Sequence, residues 1–183
     1  MTSIRDLLRQ YQPEGETETV DVVRVRALAE REPDPYSRAL PMHVTGSALI
    51  VHPASGRVLL RWHPRQQAWL QVGGHGDPGE GDPLAIAERE AAEETGLADL
   101  APWPGPQVRH VVIVSVPAAR ADPAHEHADV RFFLATSTPD AVVPEEPDAP
   151  LRWLAVPEAL ELTTEVNLRE TLKRAERLLP DRR

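Results

Sequence analysis

The sequence predicts an α/β (α+β) fold, a sandwich in which a mixed β-sheet lies between helices. Three observations support this prediction: β-rich runs in the middle of the chain, one strongly periodic helix between them, and helical segments at both ends. Strands, a helix, further strands and a closing helix are typical of a sheet covered by helices. With 183 residues, the chain is long enough for one well-buried domain.

The first 38 residues are expected to form a helical appendage to a main domain over residues 39–183. Residues 3–11 place apolar side chains at the i, i+3, i+4, i+7 spacing of an amphipathic helix. Residues 18–31 form a second apolar stripe before the breaker sequence Pro-Asp-Pro. These helices are candidates for a cap over the functional site or for a homodimer interface.

The central part of the chain has the composition of β-strands. Residues 43–52 and 57–62 are β-rich runs joined by Pro-Ala-Ser-Gly, which has the turn residues of a hairpin. A further short strand over residues 69–72 leads into a pair of glycines. Three more strands are expected after the central helix, over residues 108–117, 129–135 and 151–156. Two helices should finish the chain, over residues 157–162 and 166–178.

Composition excludes several classes of function. The chain has no cysteine, so disulfides, thiolate catalysis and sulfur-rich zinc sites are excluded, and His and carboxylate side chains remain as metal ligands. A formal net charge of −9 argues against nucleic acid as a partner, because binding to a phosphate backbone depends on Lys and Arg. No apolar run reaches the roughly 18 residues of a membrane span, and the N-terminus lacks a signal-peptide pattern. We therefore expect a cytoplasmic protein without a membrane partner.

The segment that carries chemistry is residues 73–97, GGHGDPGEGDPLAIAEREAAEETGL. Asp82 as N-cap, Pro83 at the first helical position and Gly96 after the last turn predict a helix that ends at Thr95. The glycines before this helix allow the main chain to approach a ligand closely.

Three glutamates, Glu90, Glu93 and Glu94, share one face of the predicted helix. Like charges at these spacings oppose helix formation by roughly a few tenths of a kcal/mol each, so a cation should offset them. Arg89 is placed to pair with Glu93 at i+4, and a divalent ion accepts carboxylate oxygens. The alternative interpretation is an ordinary acidic face in contact with solvent.

The segment resembles the Nudix box. That pattern is Gly, five residues, Glu, seven residues, and then Arg-Glu-apolar-x-Glu-Glu-x-Gly-apolar. Gly74 and Glu80 match its first half, and residues 89–97, REAAEETGL, match its second half at every position. Eight residues rather than seven separate Glu80 from Arg89, and we expect the extra residue in the Gly-Asp-Pro turn before the helix.

The resemblance implies a metal-dependent hydrolase of a diphosphate linkage, with Mg²⁺ or Mn²⁺ as cofactor. Its substrate would be a small molecule, a nucleoside diphosphate linked to another moiety or a related nucleotide. The implied metal ligands are Glu90, Glu93, Glu94 and the main-chain carbonyl of Gly73, with Glu93 also a candidate for the base. Arg89 and Glu80 would fix the loop and the ligand carboxylates.

Residues outside the box are further candidates. Glu145 and Glu146 precede a predicted strand, either as an additional catalytic acid or base or as part of an acidic surface loop. His75 follows the glycine pair and is a candidate for contact with the substrate.

His125 and His127 would face the same side of a strand, as a metal pair or a phosphate contact, although such a pair is more often a hydrogen-bonded loop feature. Arg131 is either a phosphate ligand or part of an internal salt bridge. Four tryptophans could stack on a nucleobase, but core packing is the commoner role of such residues: Trp62, Trp69, Trp103 and Trp153.

Two other classes of function remain open. The first is a catalytically silent Nudix domain that binds a nucleotide as a regulator or sensor, and the intact box argues against it. The second is a structural metal-binding protein in which the carboxylates and the histidine pair only hold an ion. Fold and box do not specify which diphosphate is the substrate.

Overall fold

The computed structural model describes residues 3–119 and 123–180. Its strands are β1 (Met42–His52), β2 (Arg57–His63), β3 (Ala68–Leu70), β4 (Val72–His75), β5 (Ala101–Pro102), β6 (His110–Val116), β7 (His125–Ala135) and β8 (Leu151–Ala155). Its helices are α1 (Ile4–Gln10), α2 (Glu16–Arg31), α3 (Pro83–Thr95), α4 (Val156–Leu162) and α5 (Val166–Glu176), with a 3-10 turn at Pro139–Ala141. None of the helices in these ranges is long and apolar enough to span a membrane.

The strands form one mixed sheet with β1 at its centre. β1 pairs antiparallel with β2 and with β4, and it pairs in parallel with β7 along most of its length. The sheet continues from β7 to β5 and β6, and from β2 to β3 and β8. The predicted hairpin between β1 and β2 is present, and its turn is closed by a hydrogen bond of 3.0 Å from Gly56 N to His52 O.

Helices cover both faces of this sheet, as predicted. On one face, Val44 and Ile50 of β1 belong to a buried cluster that includes residues of α1, α2 and α3. On the other face, Leu49 and Val51 pack with α4 and α5. We call these the α3 face and the α5 face. Because successive residues of a strand point to opposite faces, odd-numbered residues of β1 and β7 lie on the α5 face.

Both N-terminal helices form where the apolar spacing predicts them. Ser3 caps α1, since its hydroxyl accepts a hydrogen bond of 3.2 Å from Asp6 N. Leu8 of α1 and Val22 of α2 are fully buried in the same cluster as Val44 of β1. The helices therefore share a hydrophobic core with the sheet.

The expected element boundaries differ from the structure at several points. The strand expected over residues 69–72 is two strands, because β3 pairs with β2 whereas β4 pairs with β1. β7 begins at His125 rather than at residue 129, because its parallel ladder with β1 extends to a polar segment that has no β-strand composition. The short strand β5 and the 3-10 turn were not expected, and α5 ends at Glu176 rather than at residue 178.

Candidate active site

The helix that carries the glutamates is held tightly against the central strand. It begins as predicted, because the Asp82 carboxylate accepts a hydrogen bond of 3.2 Å from Leu84 N. It ends at Gly96, which adopts a left-handed conformation with φ 67°. A Cβ atom on Gly46 of β1 would lie 2.5 Å from the Pro83 carbonyl, so only glycine allows α3 to approach β1 this closely.

Glu94 is a buried carboxylate with two partners. Its Oε2 accepts a hydrogen bond of 3.0 Å from Gly73 N, and its Oε1 lies 3.0 Å from Nη1 of Arg61. Only 12% of the side chain is exposed. Burial raises the pKa of Glu94 to about 7, although Arg61 and Gly73 act in the opposite direction. The negative charge of Glu94 is therefore incompletely compensated by its protein partners.

Glu90 lies directly against the second glycine of the pair. A Cβ atom on Gly74 would lie 2.6 Å from Oε1 of Glu90, so the absence of a side chain at Gly74 makes room for the carboxylate. Glu90 is 18% exposed, and its Oε1 lies 3.1 Å from Nη1 of Arg89. Burial raises the pKa of this group as well. The glycine pair thus forms a cradle for two carboxylates.

Arg89 connects the helix to the loop before it. Its guanidinium donates to the Glu80 carboxylate at 3.0 Å, to the His75 carbonyl at 2.8 Å and to Glu93 at 3.0 Å. The hydrogen bond from Arg89 lowers the pKa of Glu80. Glu80 reaches Arg89 even though the spacing between them is one residue longer than in the common pattern.

One further cation belongs to this cluster and was missed from the sequence. Arg61 of β2 is 12% exposed and contacts Glu94, and its Nη2 lies 3.5 Å from Oε2 of Glu145. The only local signal was a charged residue within the apolar run Arg-Val-Leu-Leu-Arg-Trp. The main-chain N–H of Glu145 also donates to the Glu94 carbonyl at 3.4 Å. Both late glutamates are exposed loop residues, and Glu145 is the one placed beside Glu94 and Arg61.

The residues at this cluster fit a divalent ion. Glu90 and Glu94 present carboxylate oxygens, which are ligands that Mg²⁺ and Mn²⁺ prefer. Both groups are largely buried and have raised pKa values, which is the electrostatic condition that a bound cation would relieve. Glu93 is 53% exposed at the edge of the cluster, where it contacts Arg89.

His75 and His127, both expected to contact substrate, lie together on the α5 face. Their Nε2 atoms are 3.2 Å apart. The preceding residue, Gly74, faces Glu90, so strand alternation directs His75 away from the glutamates. Burial, followed by the neighbouring His127, lowers the pKa of His75 to about 3, and burial lowers that of His127 to about 4.

Two more histidines complete this group, which we call the histidine cluster: His43, His75, His125 and His127. The Nε2 atom of His43 lies 3.1 Å from that of His75, and the Nε2 atoms of His125 and His127 are 3.1 Å apart. His43 was missed from the sequence, because its proximity to His127 depends on the parallel pairing of β1 with β7.

The guanidinium of Arg131 forms a salt bridge and hydrogen bonds within the protein, in agreement with the salt-bridge alternative. It is 2% exposed, and its Nε lies 2.7 Å from Asp129 Oδ2. Its two other nitrogens donate to Thr171 Oγ1 at 2.9 Å and to Asn167 Oδ1 at 2.8 Å, both on α5. Asp129 also accepts hydrogen bonds from Ser47 and Thr45 of β1.

The tryptophans are half-buried and take part in internal contacts. The rings of Trp62 and Trp69 meet edge to face with centroids 5.7 Å apart. Trp153 donates from Nε1 to the Pro139 carbonyl at 2.9 Å. Trp69 and Trp103 pack against the cluster on the α5 face.

The sandwich and its carboxylate-bearing helix agree with membership of a known hydrolase family. The NUDIX domain family matches residues 42–175, which is more than half of the chain, and the protein therefore belongs to the Nudix family of hydrolases. Members of this family hydrolyse derivatives of nucleoside diphosphates. No curated protein sequence matches the chain.

Solved structures support the fold assignment. The dihydroneopterin triphosphate pyrophosphohydrolase of E. coli is 20% identical, and the match covers 74% of this chain and 94% of that one with a TM-score of 0.59. An Ap4A hydrolase of C. elegans in a binary complex is 18% identical over 74% of this chain and 96% of its own, with a TM-score of 0.55. A NUDIX family hydrolase of Clostridium perfringens is 22% identical over 75% and 98%, with a TM-score of 0.52. At these identities the likeness concerns the fold alone.

Proposed function

We propose that the protein uses a divalent metal ion to cleave the diphosphate linkage of a nucleoside diphosphate joined to another group. One observation carries this proposal: Glu90 and Glu94 are buried against the glycine pair Gly73 and Gly74, with more negative charge than their protein partners offset. A surface helix that had only to remain soluble would expose these carboxylates. A cation at the cradle would account for both their burial and their mutual proximity.

The residues of the box have distinct roles in this proposal. Glu90 and Glu94, with Glu93 and the Gly73 carbonyl, would hold Mg²⁺ or Mn²⁺. When bound, the ion would neutralise diphosphate oxygens and acidify a water molecule. Arg89 fixes the orientation of the carboxylates, because one guanidinium contacts Glu80, Glu90 and Glu93. Two of the proposed ligands, Glu90 and Glu93, would thus be held in place before substrate arrives.

Hydrolysis requires a group that accepts a proton from the attacking water. We propose Glu145 for this role rather than Glu146, because Glu145 contacts Arg61 and its main-chain N–H donates to the Glu94 carbonyl at 3.4 Å. Its side chain is 49% exposed, so water and substrate can reach it. As the water oxygen bonds to one phosphorus, the bond from that phosphorus to the bridging oxygen breaks, and a phosphate-containing group leaves.

A substrate screen with matched variants tests the proposed function. The protein is first treated with chelator and then assayed with Mg²⁺ or Mn²⁺ on ADP-ribose, dinucleoside polyphosphates, nucleoside triphosphates and dihydroneopterin triphosphate. We expect release of phosphate or nucleotide from at least one compound only when the ion is restored. Glu94→Gln should abolish turnover, while Glu88→Gln, a control on the same helix outside the carboxylate cluster, should retain it.

Two outcomes would contradict the proposal. Turnover that survives thorough chelation would exclude a metal-dependent reaction. Nucleotide binding without turnover of any compound would instead favour a regulatory or sensor domain. For the base, Glu145→Gln should lower kcat much more than Glu146→Gln, and equal effects of the two changes would remove Glu145 from this role.

A further inference from the structure

The histidine cluster has the geometry of a transition-metal site. Three pairs of Nε2 atoms are in close contact: His43 with His75 at 3.1 Å, His75 with His127 at 3.2 Å, and His127 with His125 at 3.1 Å. Ligand atoms of His43, His125 and His127 all lie within 4.8 Å of one another, and His75 lies beside this group of three. Zn–N bonds of about 2.0–2.1 Å imply N–N separations of roughly 2.9 Å in an octahedral site and 3.3 Å in a tetrahedral one. The observed separations fall between these values.

Two main-chain carbonyls orient the outer rings of the cluster. His43 Nδ1 lies 3.2 Å from the Leu40 carbonyl, and His125 Nδ1 lies 2.9 Å from the Pro123 carbonyl. Because a carbonyl can only accept, each Nδ1 carries the proton, and each Nε2 of a neutral ring presents a lone pair to the cluster. A hydrogen bond from the second ring nitrogen to a carbonyl is the usual support of a metal-binding histidine.

Hydrogen bonds alone cannot satisfy these four neutral rings. With lone pairs fixed on His43 and His125, the two middle rings would each have to donate an Nε2–H outward, His75 to His43 and His127 to His125. The two donors would then face each other at the 3.2 Å contact between His75 and His127. Any other choice of tautomers leaves a pair of facing lone pairs. A cation held by His43, His125 and His127 removes the conflict, because each ring, that of His75 included, can then direct its lone pair toward the ion.

An additional proton on one ring would also remove the conflict, but the surroundings oppose it. His43 is 2% exposed, so an imidazolium ion at that position would be removed from water, which is costly for a charged group. Neutral imidazole is the form that binds metal ions. Imidazole ligands suit zinc and its neighbours in the first transition series, whereas Mg²⁺ prefers oxygen ligands.

We propose that His43, His125 and His127 bind one transition-metal ion, such as Zn²⁺ or Co²⁺, on the α5 face of the sheet, and that His75 joins them as a fourth ligand after a side-chain adjustment. The site is separate from the carboxylates, which lie on the α3 face. Its ligands come from the ends of β1, β4 and β7, so the ion would hold these three strand ends together. His75 ties it to the box through its carbonyl, which accepts from Arg89 at 2.8 Å.

Metal binding to the full chain tests the proposal without reference to activity. After chelator treatment, Zn²⁺ is titrated by calorimetry in the presence of excess Mg²⁺, and Co²⁺ is added in parallel for its visible absorption. We expect one equivalent to bind and the melting temperature to rise with Zn²⁺. The double variant Glu90→Gln/Glu94→Gln should still bind this equivalent, because the carboxylates are not its ligands.

Variants of the partly exposed ligands identify the site. We expect His125→Gln and His127→Gln to weaken Zn²⁺ binding beyond the roughly 100-fold that follows loss of an outer-sphere partner. His63→Gln is the matched control, because His63 lies on β2 outside the cluster. Retention of wild-type affinity in both cluster variants, or loss of the bound equivalent in the glutamate double variant, would overturn the proposal.

X-ray absorption on the zinc-loaded wild-type protein keeps the test valid if the variants fail to fold. We expect scattering from at least three imidazole rings at about 2.0–2.1 Å. A zinc ion surrounded by oxygen atoms alone would overturn the assignment. Failure of the chain to bind Zn²⁺ at all in the presence of Mg²⁺ would do the same.

Discussion

Glu18 joins the N-terminal helices to the rest of the protein through a buried ion pair. Its side chain is 3% exposed, and that of Arg174 on α5 is 5% exposed. The carboxylate accepts hydrogen bonds from Arg174 at 2.9 and 3.1 Å, from Val111 N at 2.9 Å, from Glu14 N at 2.6 Å and from the Tyr11 hydroxyl. Replacement by Gln keeps the volume, removes the charge and turns one acceptor atom into a donor.

We expect Glu18→Gln to lower the free energy of unfolding by about 3–5 kcal/mol, because Arg174 loses its buried counter-charge and keeps the partly exposed Glu170 at 3.2 Å as its nearest acidic partner. For a chain of this size, each kcal/mol corresponds to roughly 2–4 °C, so the melting temperature should fall by roughly 6–20 °C. Adding Arg174→Met to Glu18→Gln should recover part of this loss, since no unpaired charge then remains buried.

The same ion pair predicts a pH dependence. Burial by itself raises the pKa of Glu18, but hydrogen bonds from Arg174 and Tyr11 hold it below its ordinary value. A folded-state pKa below the unfolded one contributes stability above the unfolded-state pKa, and this contribution is lost as the pH falls through the folded-state pKa. The wild type should therefore lose a contribution in acid that Glu18→Gln lacks already at neutral pH.

Thermal and urea unfolding followed by circular dichroism measure both effects, with Glu16→Gln as the control. Glu16 is an exposed acid in the first turn of the same helix, so its replacement should change stability by less than about 0.5 kcal/mol. The reasoning would be refuted if Glu18→Gln melted together with Glu16→Gln and showed an unchanged acid dependence.

Three further predictions concern the box. Glu94→Gln should leave the metal-free protein at least as stable as wild type, because burial raises the pKa of Glu94 and so disfavours its charged form. The same change should reduce kcat by orders of magnitude. Thermal melts and kinetics measure the two effects, and the expected stability is the opposite of that of Glu18→Gln. Gly74→Ala would place Cβ 2.6 Å from Glu90 Oε1, so the melting-temperature rise with Mn²⁺ should shrink and kcat/KM should fall by up to roughly 100-fold. A full metal response with normal turnover would contradict the cradle. Deletion of Gly81 should give a folded, partly active protein. Its free energy of unfolding, measured in urea, should fall by about 1 kcal/mol, because the 3.0 Å hydrogen bond from the Tyr36 hydroxyl to the Gly81 carbonyl is lost. An unfolded product would mean that the extra residue is structural.

The helix of the box was predictable because its signals are local. Asp82, Pro83 and Gly96 mark its ends, and the structure has the helix between them. The spacing of Glu90 and Glu94 also places them on one face in any helix. Their burial was not predictable, since it depends on the glycine at position 46, which lies on a different strand.

The remaining parts of both clusters depend on contacts between distant segments. His43 meets His127 only because β1 and β7 pair in parallel, and a sequence pattern does not determine which strands become neighbours. Arg61 meets Glu94 because α3 packs on the face of the sheet that also carries Leu59 of β2, and a sequence pattern does not determine where a helix packs. The start of the strand at residue 125 was missed because Glu126, Ala128 and Asp129 belong to residue types that are depleted in β-strands.

Strand β4 presents chemically different surfaces on its two sides within four residues. Gly74 accommodates Glu90 on one side, and His75 belongs to the imidazole group on the other. The peptide unit between them is common to both, and the next carbonyl is fixed by Arg89. A ligand that displaces β4 on one side therefore alters the geometry available on the other. By thermodynamic linkage, the coupling free energy is the same in both directions. Binding of a ligand on one side of β4 can therefore be measured as a change in the affinity for a ligand on the other side.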